Sequence, residues 1–154
     1  MKLNQWLCAT LLLGLAGSAS AAGVVSSSPP PMAEQLAAAR KMMDGKDWRN
    51  AGYQLEQALR MEPRNPDVLN LLGYFNRKKP APELDKAFDF YKKALAIDPN
   101  HKGAHEYIGE AYLMARQPEE AQKHLAMLES ICGNRSCEEY EDLAEAIKKY
   151  QPVQ

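Results

Sequence analysis

The stretch Ala58-Leu59-Arg60-Met61-Glu62-Pro63 returns as Ala94-Leu95-Ala96-Ile97-Asp98-Pro99, thirty-six positions further on. The shared pattern is Ala-Leu-x-apolar-acid-Pro, and each copy closes a run of apolar residues at helical spacing. A fixed period of that size marks stacked helical hairpins, each too small to bury its apolar face alone. Such stacks present surfaces to partners. The repeat therefore predicts a binding protein and leaves the partner open.

Outward from these copies, turn signals cut the chain into helices. A first helix is expected from about Met32 to Asp44, stopped by Gly45. Asp47 can cap a second, which carries Trp48, Ala51, Leu55, Ala58 and Leu59 and ends before Pro63. Asn65-Pro66 supplies a cap followed by proline in the first turn, where its missing N–H costs nothing. That third helix reaches about Lys79, before Pro80-Ala81-Pro82. A fourth runs from about Glu83 to Ile97, a fifth from about Lys102 to Ala115, and a sixth from Pro118 to Ile131. Ser136 with Glu139 forms a capping-box pattern for a seventh, in which Tyr140, Leu143, Ala144 and Ile147 recur at helical spacing. The absence of any strand signal makes the chain all-α.

The chain opens on a secretory-signal pattern over residues 1–22. Lys2 gives the positive start, Leu7 to Leu15 the short apolar core, and Ala19-Ser20-Ala21 or Ser20-Ala21-Ala22 the small-residue cleavage site. The apolar run falls short of the roughly 20 residues a membrane span needs. Residues 23–31, Gly-Val-Val-Ser-Ser-Ser-Pro-Pro-Pro, read as a linker. The expected mature protein is periplasmic or secreted, with no membrane span. The chain holds 19 basic and 20 acidic residues. Cleavage would remove only Lys2 from this balance, which argues against nucleic acid or an anionic membrane as partner. Roughly 130 residues remain, enough for one continuous core.

Cys8 would leave with the signal, so Cys132 and Cys137 remain. In an oxidising compartment an even pair is most simply a disulfide, here around the short loop Gly133-Asn134-Arg135-Ser136. A redox-active or metal-binding pair is the alternative, although the spacing is neither CxxC nor CxxCH and no second ligand pair for zinc is present.

At this point the residues resemble the tetratricopeptide repeat, a helical hairpin of 34 residues with a Leu-Gly in its first helix and Ala, aromatic and Pro in its second. Leu69-x-x-Leu72-Gly73 continuing to Ala87-x-x-x-Tyr91-x-x-Ala94 and Pro99 carries the resemblance. Ile108-Gly109-x-x-Tyr112 continuing to Ala121-x-x-x-Leu125 carries it again. An earlier unit keeps Ala51, Leu55, Ala58 and Pro63, with Ala38-Ala39 and Met42 in its first half. Gly73, Ala87, Gly109 and Ala121 would let paired helices approach, with Tyr91, Leu95, Tyr112 and Leu125 filling the space between. The central unit is two residues longer than the next between its Gly and Ala, and the surplus falls in Lys78–Pro82. Gly133 replaces the last expected proline, and His105 stands where a large apolar residue is usual.

The resemblance, to small exported bacterial members of the family, implies a right-handed helical-hairpin solenoid. It comprises three repeats over about 32–131, with approximate bounds 32–65, 66–101 and 102–133. The disulfide loop and a C-terminal capping helix, residues 132–150, would cover the last apolar flank. In this family the first helices line a concave groove for a peptide. The groove candidates, expected off the packing face, are Arg40, Asn70, Tyr74, Arg77, Glu106, Tyr107 and Glu110. Tyr and Arg at a groove centre match the composition of binding hot spots. The basic and amide clamp that some members use for a terminal carboxylate is not matched, since Leu36 and Glu106 occupy those positions.

Catalytic signals are thin. His101 and His105 could share a helix face with Glu106 as metal ligands, but His101 lies at a helix start and His105 faces the core in the family register. His124 is isolated on its helix, at the surface or its boundary. Glu138, Glu139, Glu141 and Asp142 read as favourable charge at a helix N-terminus. The expectation is a non-enzymatic adaptor or scaffold without cofactor or metal, binding a protein or peptide. A redox or metal-binding envelope protein using Cys132 and Cys137, and a self-associating structural repeat protein, are the alternatives.

Overall fold

A computed structural model describes residues 30–150. The signal pattern, Cys8 and the linker up to residue 29 lie outside the described residues. Within them the chain forms seven helices and no strand: α1 Met32–Asp44, α2 Trp48–Met61, α3 Pro66–Lys78, α4 Leu84–Ile97, α5 Lys102–Met114, α6 Pro118–Cys132 and α7 Glu138–Lys149. Every boundary falls within about two residues of the sequence expectation, as the density of Pro, Asx and Gly punctuation would dictate.

The two copies of the opening motif fold alike. Helices α2 and α4 end at Met61 and Ile97, so the acid of each copy, Glu62 or Asp98, is the C-cap residue. The N–H of Asn65 then bonds the Glu62 carbonyl at 3.1 Å, and the N–H of His101 bonds that of Asp98 at 3.2 Å. The same two residues cap the following helices. Asn65 Oδ1 accepts from the N–H groups of Asp67 and Val68, and His101 Nδ1 accepts from the N–H of Ala104. His101 is therefore spent on a helix end, its Nε2 lying 3.1 Å from Asp67 Oδ1 of the preceding repeat.

Helix α1 stops at Gly45 as expected, with an ordinary φ of −75°, and it is Lys46 that takes the left-handed conformation at φ 62°. Arg116 does the same at φ 61° in the α5–α6 turn. In both turns the next N–H reaches back to the last helical turn, Asp47 to Met42 and Gln117 to Tyr112, each at 2.8 Å. One local expectation is corrected: the capping box of Ser136 and Glu139 does not form. Ser136 Oγ donates to Asn134 Oδ1 at 3.0 Å, and Cys137 is the N-cap without a side-chain bond. The disulfide from Cys132 to Cys137 fixes that residue instead.

The core is continuous along the stack. Leu36, Ala39 and Met43 of α1 meet Leu55 and Ala58 of α2 and Val68, Leu71 and Leu72 of α3. Ala87 and Tyr91 of α4 meet Ile108 and Ala111 of α5. Leu69, Ala94 and Ala104 form a third cluster between α3, α4 and α5, linked to the first through half-buried Leu59 and Phe90 and to the second through Leu95. Helix α7 packs on both α5 and α6, with Leu143 fully buried. A Cβ on Gly73 would fall 2.4 Å from the Tyr91 ring, so that glycine does serve close approach within its hairpin. A Cβ on Gly109 would instead fall 2.6 Å from Leu143, so its missing side chain makes room for α7.

Candidate functional site

Helices α1, α3, α5 and α7 lie side by side and form one face of the stack, the first three joined in that order across their shared contacts. On α3, Asn70, Tyr74 and Arg77 follow at intervals of four and three and so share a stripe. On α5, Glu106 and Glu110 do the same, with Tyr107 beside them. Helix α1 contributes Arg40.

Arg77 is the centre of the site. Its side chain is 4 % exposed, and Nε donates to the Tyr91 hydroxyl at 3.3 Å. Its guanidinium carbon stands 5.4 Å from the Tyr74 ring centroid and 5.5 Å from that of Tyr107. Nη2 is in ion contact with Glu110, yet it makes no hydrogen bond of acceptable geometry. The pair is thus a charge contact, not a directed bond. Tyr74 and Tyr107 themselves pack at 4.9 Å between centroids, tilted by 49°. Arg40 reaches across α3 to this pair and donates from Nη1 to the Tyr107 hydroxyl at 3.0 Å, with its guanidinium 6.0 Å from the ring. Burial raises the pKa of both phenols above the ordinary value, so each hydroxyl keeps its proton.

Glu106 is the most perturbed acid. Burial, followed by the charges of Glu110, Asp142 and Glu139, pushes its carboxyl up to about 8, against a smaller opposing pull from Arg77. The acids at the start of α7 therefore act on the groove as well as on their own helix end.

Five of the seven candidates, Arg40, Tyr74, Arg77, Tyr107 and Glu110, meet through these contacts, and Glu106 is related to them by charge alone. Asn70 stands apart, its amide nitrogen packed beside Gly103 and its Oδ1 buried without a partner. The expectation that all seven lie off the packing face is corrected for Asn70, Arg77 and Glu106, which are 2 %, 4 % and 8 % exposed. Reasoning from the sequence missed Tyr91 as a site residue, because helical spacing marks it only as core. It also missed that His124 is not isolated. His105 Nε2 lies 2.9 Å from the Pro99 carbonyl, which can only accept, so that nitrogen carries the proton. His105 Nδ1 then accepts from His124 Nδ1 at 2.8 Å. Burial, with neighbouring His105 second, lowers His124 to about 4. Among the described residues, the grouping of three metal-capable side chains is Cys132, Cys137 and Glu139, and its two sulfurs are bonded to each other.

The geometry is that of paired helices whose first members line a shared face. Residues 83–131, which span α4, α5 and most of α6, match the sequence model of the tetratricopeptide repeat. This part of the chain is similar to a tetratricopeptide repeat. The match runs from the second helix of one hairpin through the next. No curated protein matches the chain. Tetratricopeptide repeats are protein-interaction modules, and among the described residues no helix is long and apolar enough to cross a membrane.

Proposed function

We propose that the chain is an exported adaptor that captures a peptide segment of a partner protein on the face formed by α1, α3, α5 and α7. The observation that carries this reading is the Tyr74–Tyr107 pair, backed by buried Arg77 while remaining half-buried itself. Rigid aromatic rings backed by arginine bind at low entropic cost, since little side-chain freedom is left to lose. Export is supported by the signal pattern of residues 1–22 and by the pairing of Cys132 with Cys137.

The test is a photo-crosslinking residue placed at Lys78, whose ammonium lies 6.0 Å from the Tyr74 ring, and compared with one at Tyr53. Tyr53 is 60 % exposed on α2, away from the groove. Expressed in the native host, the Lys78 position should trap a discrete partner that the Tyr53 position does not. Equal adducts from both positions would refute the groove. Arg77→Glu is unsuitable as a control, because it would break the buried support of the site. Localisation is read separately, from the mass of the mature chain in the envelope fraction. An uncleaved chain in the cytosol would end the export reading.

A further inference from the structure

Helix α6 buries fewer side chains than the second helices before it. Where α2 hides Ala51, Leu55 and Ala58, and α4 hides Ala87, Tyr91 and Ala94, α6 hides Ala121 and Leu128. His124 stands between those two, at intervals of three and four along one stripe, and there it meets His105 of α5. The seam of the last hairpin is thus a polar pair with one fully buried residue to either side.

The geometry limits what acid can add to this pair. The ring centroids lie 5.1 Å apart across a 2.8 Å contact between nitrogens, so the two rings meet nearly head-on. With the His105 Nε2 proton on the Pro99 carbonyl and the His124 Nδ1 proton on His105, three of the four ring nitrogens are spent. His124 Nε2 enters no hydrogen bond among the described residues and takes the first proton. That proton puts an imidazolium on a half-buried ring stacked on Tyr112, 5.6 Å between centroids. A second proton has only His105 Nδ1 to go to, where it would face another N–H across 2.8 Å, so the pair must part. Separated rings take two protons, and the joined pair takes one.

The charged groups around His124 do not cancel this. On its own helix Glu120 favours the proton and Lys123 opposes it, and from α5 His105 opposes it. Helix α7 also packs on α6 but brings no charge to bear on this ring. Burial outweighs the rest and holds His124 at about 4, against an ordinary 6.5. A base whose folded value is lowered contributes stability that is present above its unfolded value. That stability is lost as pH falls from there towards the folded value.

We propose that the His105–His124 pair is an acid-sensitive latch on the last hairpin: with both rings neutral α6 is held to α5, and protonation releases it, leaving α7 tethered to α6 through Cys132–Cys137. The latch goes beyond the peptide-capture reading. It acts next to one end of the candidate face, since Glu106 and Tyr107 follow His105 directly along α5.

Long-range proton–nitrogen NMR of the folded chain near neutral pH should show His124 with its proton on Nδ1 and His105 with its proton on Nε2. Methyl relaxation dispersion then follows local opening. From about pH 7 to about pH 5 the open population seen at Leu128 should rise roughly tenfold or more, while that at Leu55 of α2 stays constant. His124→Gln, whose amide can still donate to His105 and cannot take a proton, should remove the rise. A His124 protonated on Nε2 at neutral pH, an opening at Leu128 that ignores pH, or the same rise in His124→Gln each overturns the latch. Equal rises at Leu55 and Leu128 would show acid unfolding of the whole stack and overturn it too. Should the variant not fold, the ring tautomers and the contrast between Leu128 and Leu55 decide the matter in the unaltered chain. None of these readouts involves a partner, so crosslinking from Lys78 judges the groove separately.

Discussion

At the scale of single residues, the chain tolerates two conformations that its sequence does not advertise. Lys46 and Arg116 occupy left-handed backbone, where an L side chain costs roughly 1 kcal/mol and glycine costs nothing. Lys46→Gly should therefore stabilise the protein by up to about 1 kcal/mol, less the entropy glycine loses on folding, as read in chemical denaturation. An unchanged or lower midpoint would mean that the Lys46 stem packs usefully on the turn. Glu106 makes a prediction with a definite sign. Its carboxyl titrates near 4.5 unfolded and about 8 folded, so between those values the folded state holds the extra proton. Stability contributed this way is complete below pH 4.5 and is lost as pH rises through 8. Glu106→Gln should accordingly flatten the fall in stability across that window, with a gain of about 2 kcal/mol at pH 9 after discounting for partial solvent screening. A parallel displacement of the whole pH profile would show that the carboxyl is already ionised when folded.

At the scale of helices, the two mid-helix glycines are alike in sequence and differ in what they touch. Gly73 faces the Tyr91 ring, which is fully buried and whose hydroxyl accepts from Arg77. Gly109 faces the δ carbons of Leu143, on the capping helix. Replacing either with alanine gains about 1 kcal/mol of helix propensity and adds an overpacking cost of about 1–3 kcal/mol. Gly73→Ala should therefore lose about 2 kcal/mol and disturb the Arg77 site, seen as weakened Tyr74–Tyr107 ring contacts in NMR. Gly109→Ala should cost less overall and raise amide exchange in α7 selectively. If both variants loosen α7 equally, the assignment of Gly109 to the cap is mistaken. The helices themselves were legible in the sequence because proline, Asn65, Asp47 and the Ala-Leu-x-apolar-acid-Pro copies mark their ends locally. What Gly109 touches was not, because its neighbour lies beyond the last repeat and depends on how α7 crosses α5. The same holds for the Arg40–Tyr107 and His105–His124 bonds, which join residues 67 and 19 positions apart. The resemblance to the repeat family implied seven groove residues, but it could not say that Asn70, Arg77 and Glu106 sink into the fold.

At the scale of the whole molecule, a stack in which helices meet mainly their neighbours is held by local interfaces, and its ends are its weakest parts. The C-terminal end has one packed helix, α7, buried through Leu143 and backed by half-buried Tyr140 and Ile147. It is tied to α6 through Cys132–Cys137, separated by five positions. A loop that short restricts the unfolded chain modestly, by roughly 2 kcal/mol on the chain-entropy account. That amount is small beside the stack and large beside one terminal helix. Reduction should thus leave α1 to α4 protected from amide exchange while α7, then α6, exchange faster. The thermal melt should fall and broaden, since the end would open ahead of the rest. A melt unaffected by reduction would show that packing on Gly109 alone holds the cap. A uniform rise in exchange along the chain would show that the array melts as one unit, with the continuous core of α3, α4 and α5 carrying the coupling from end to end.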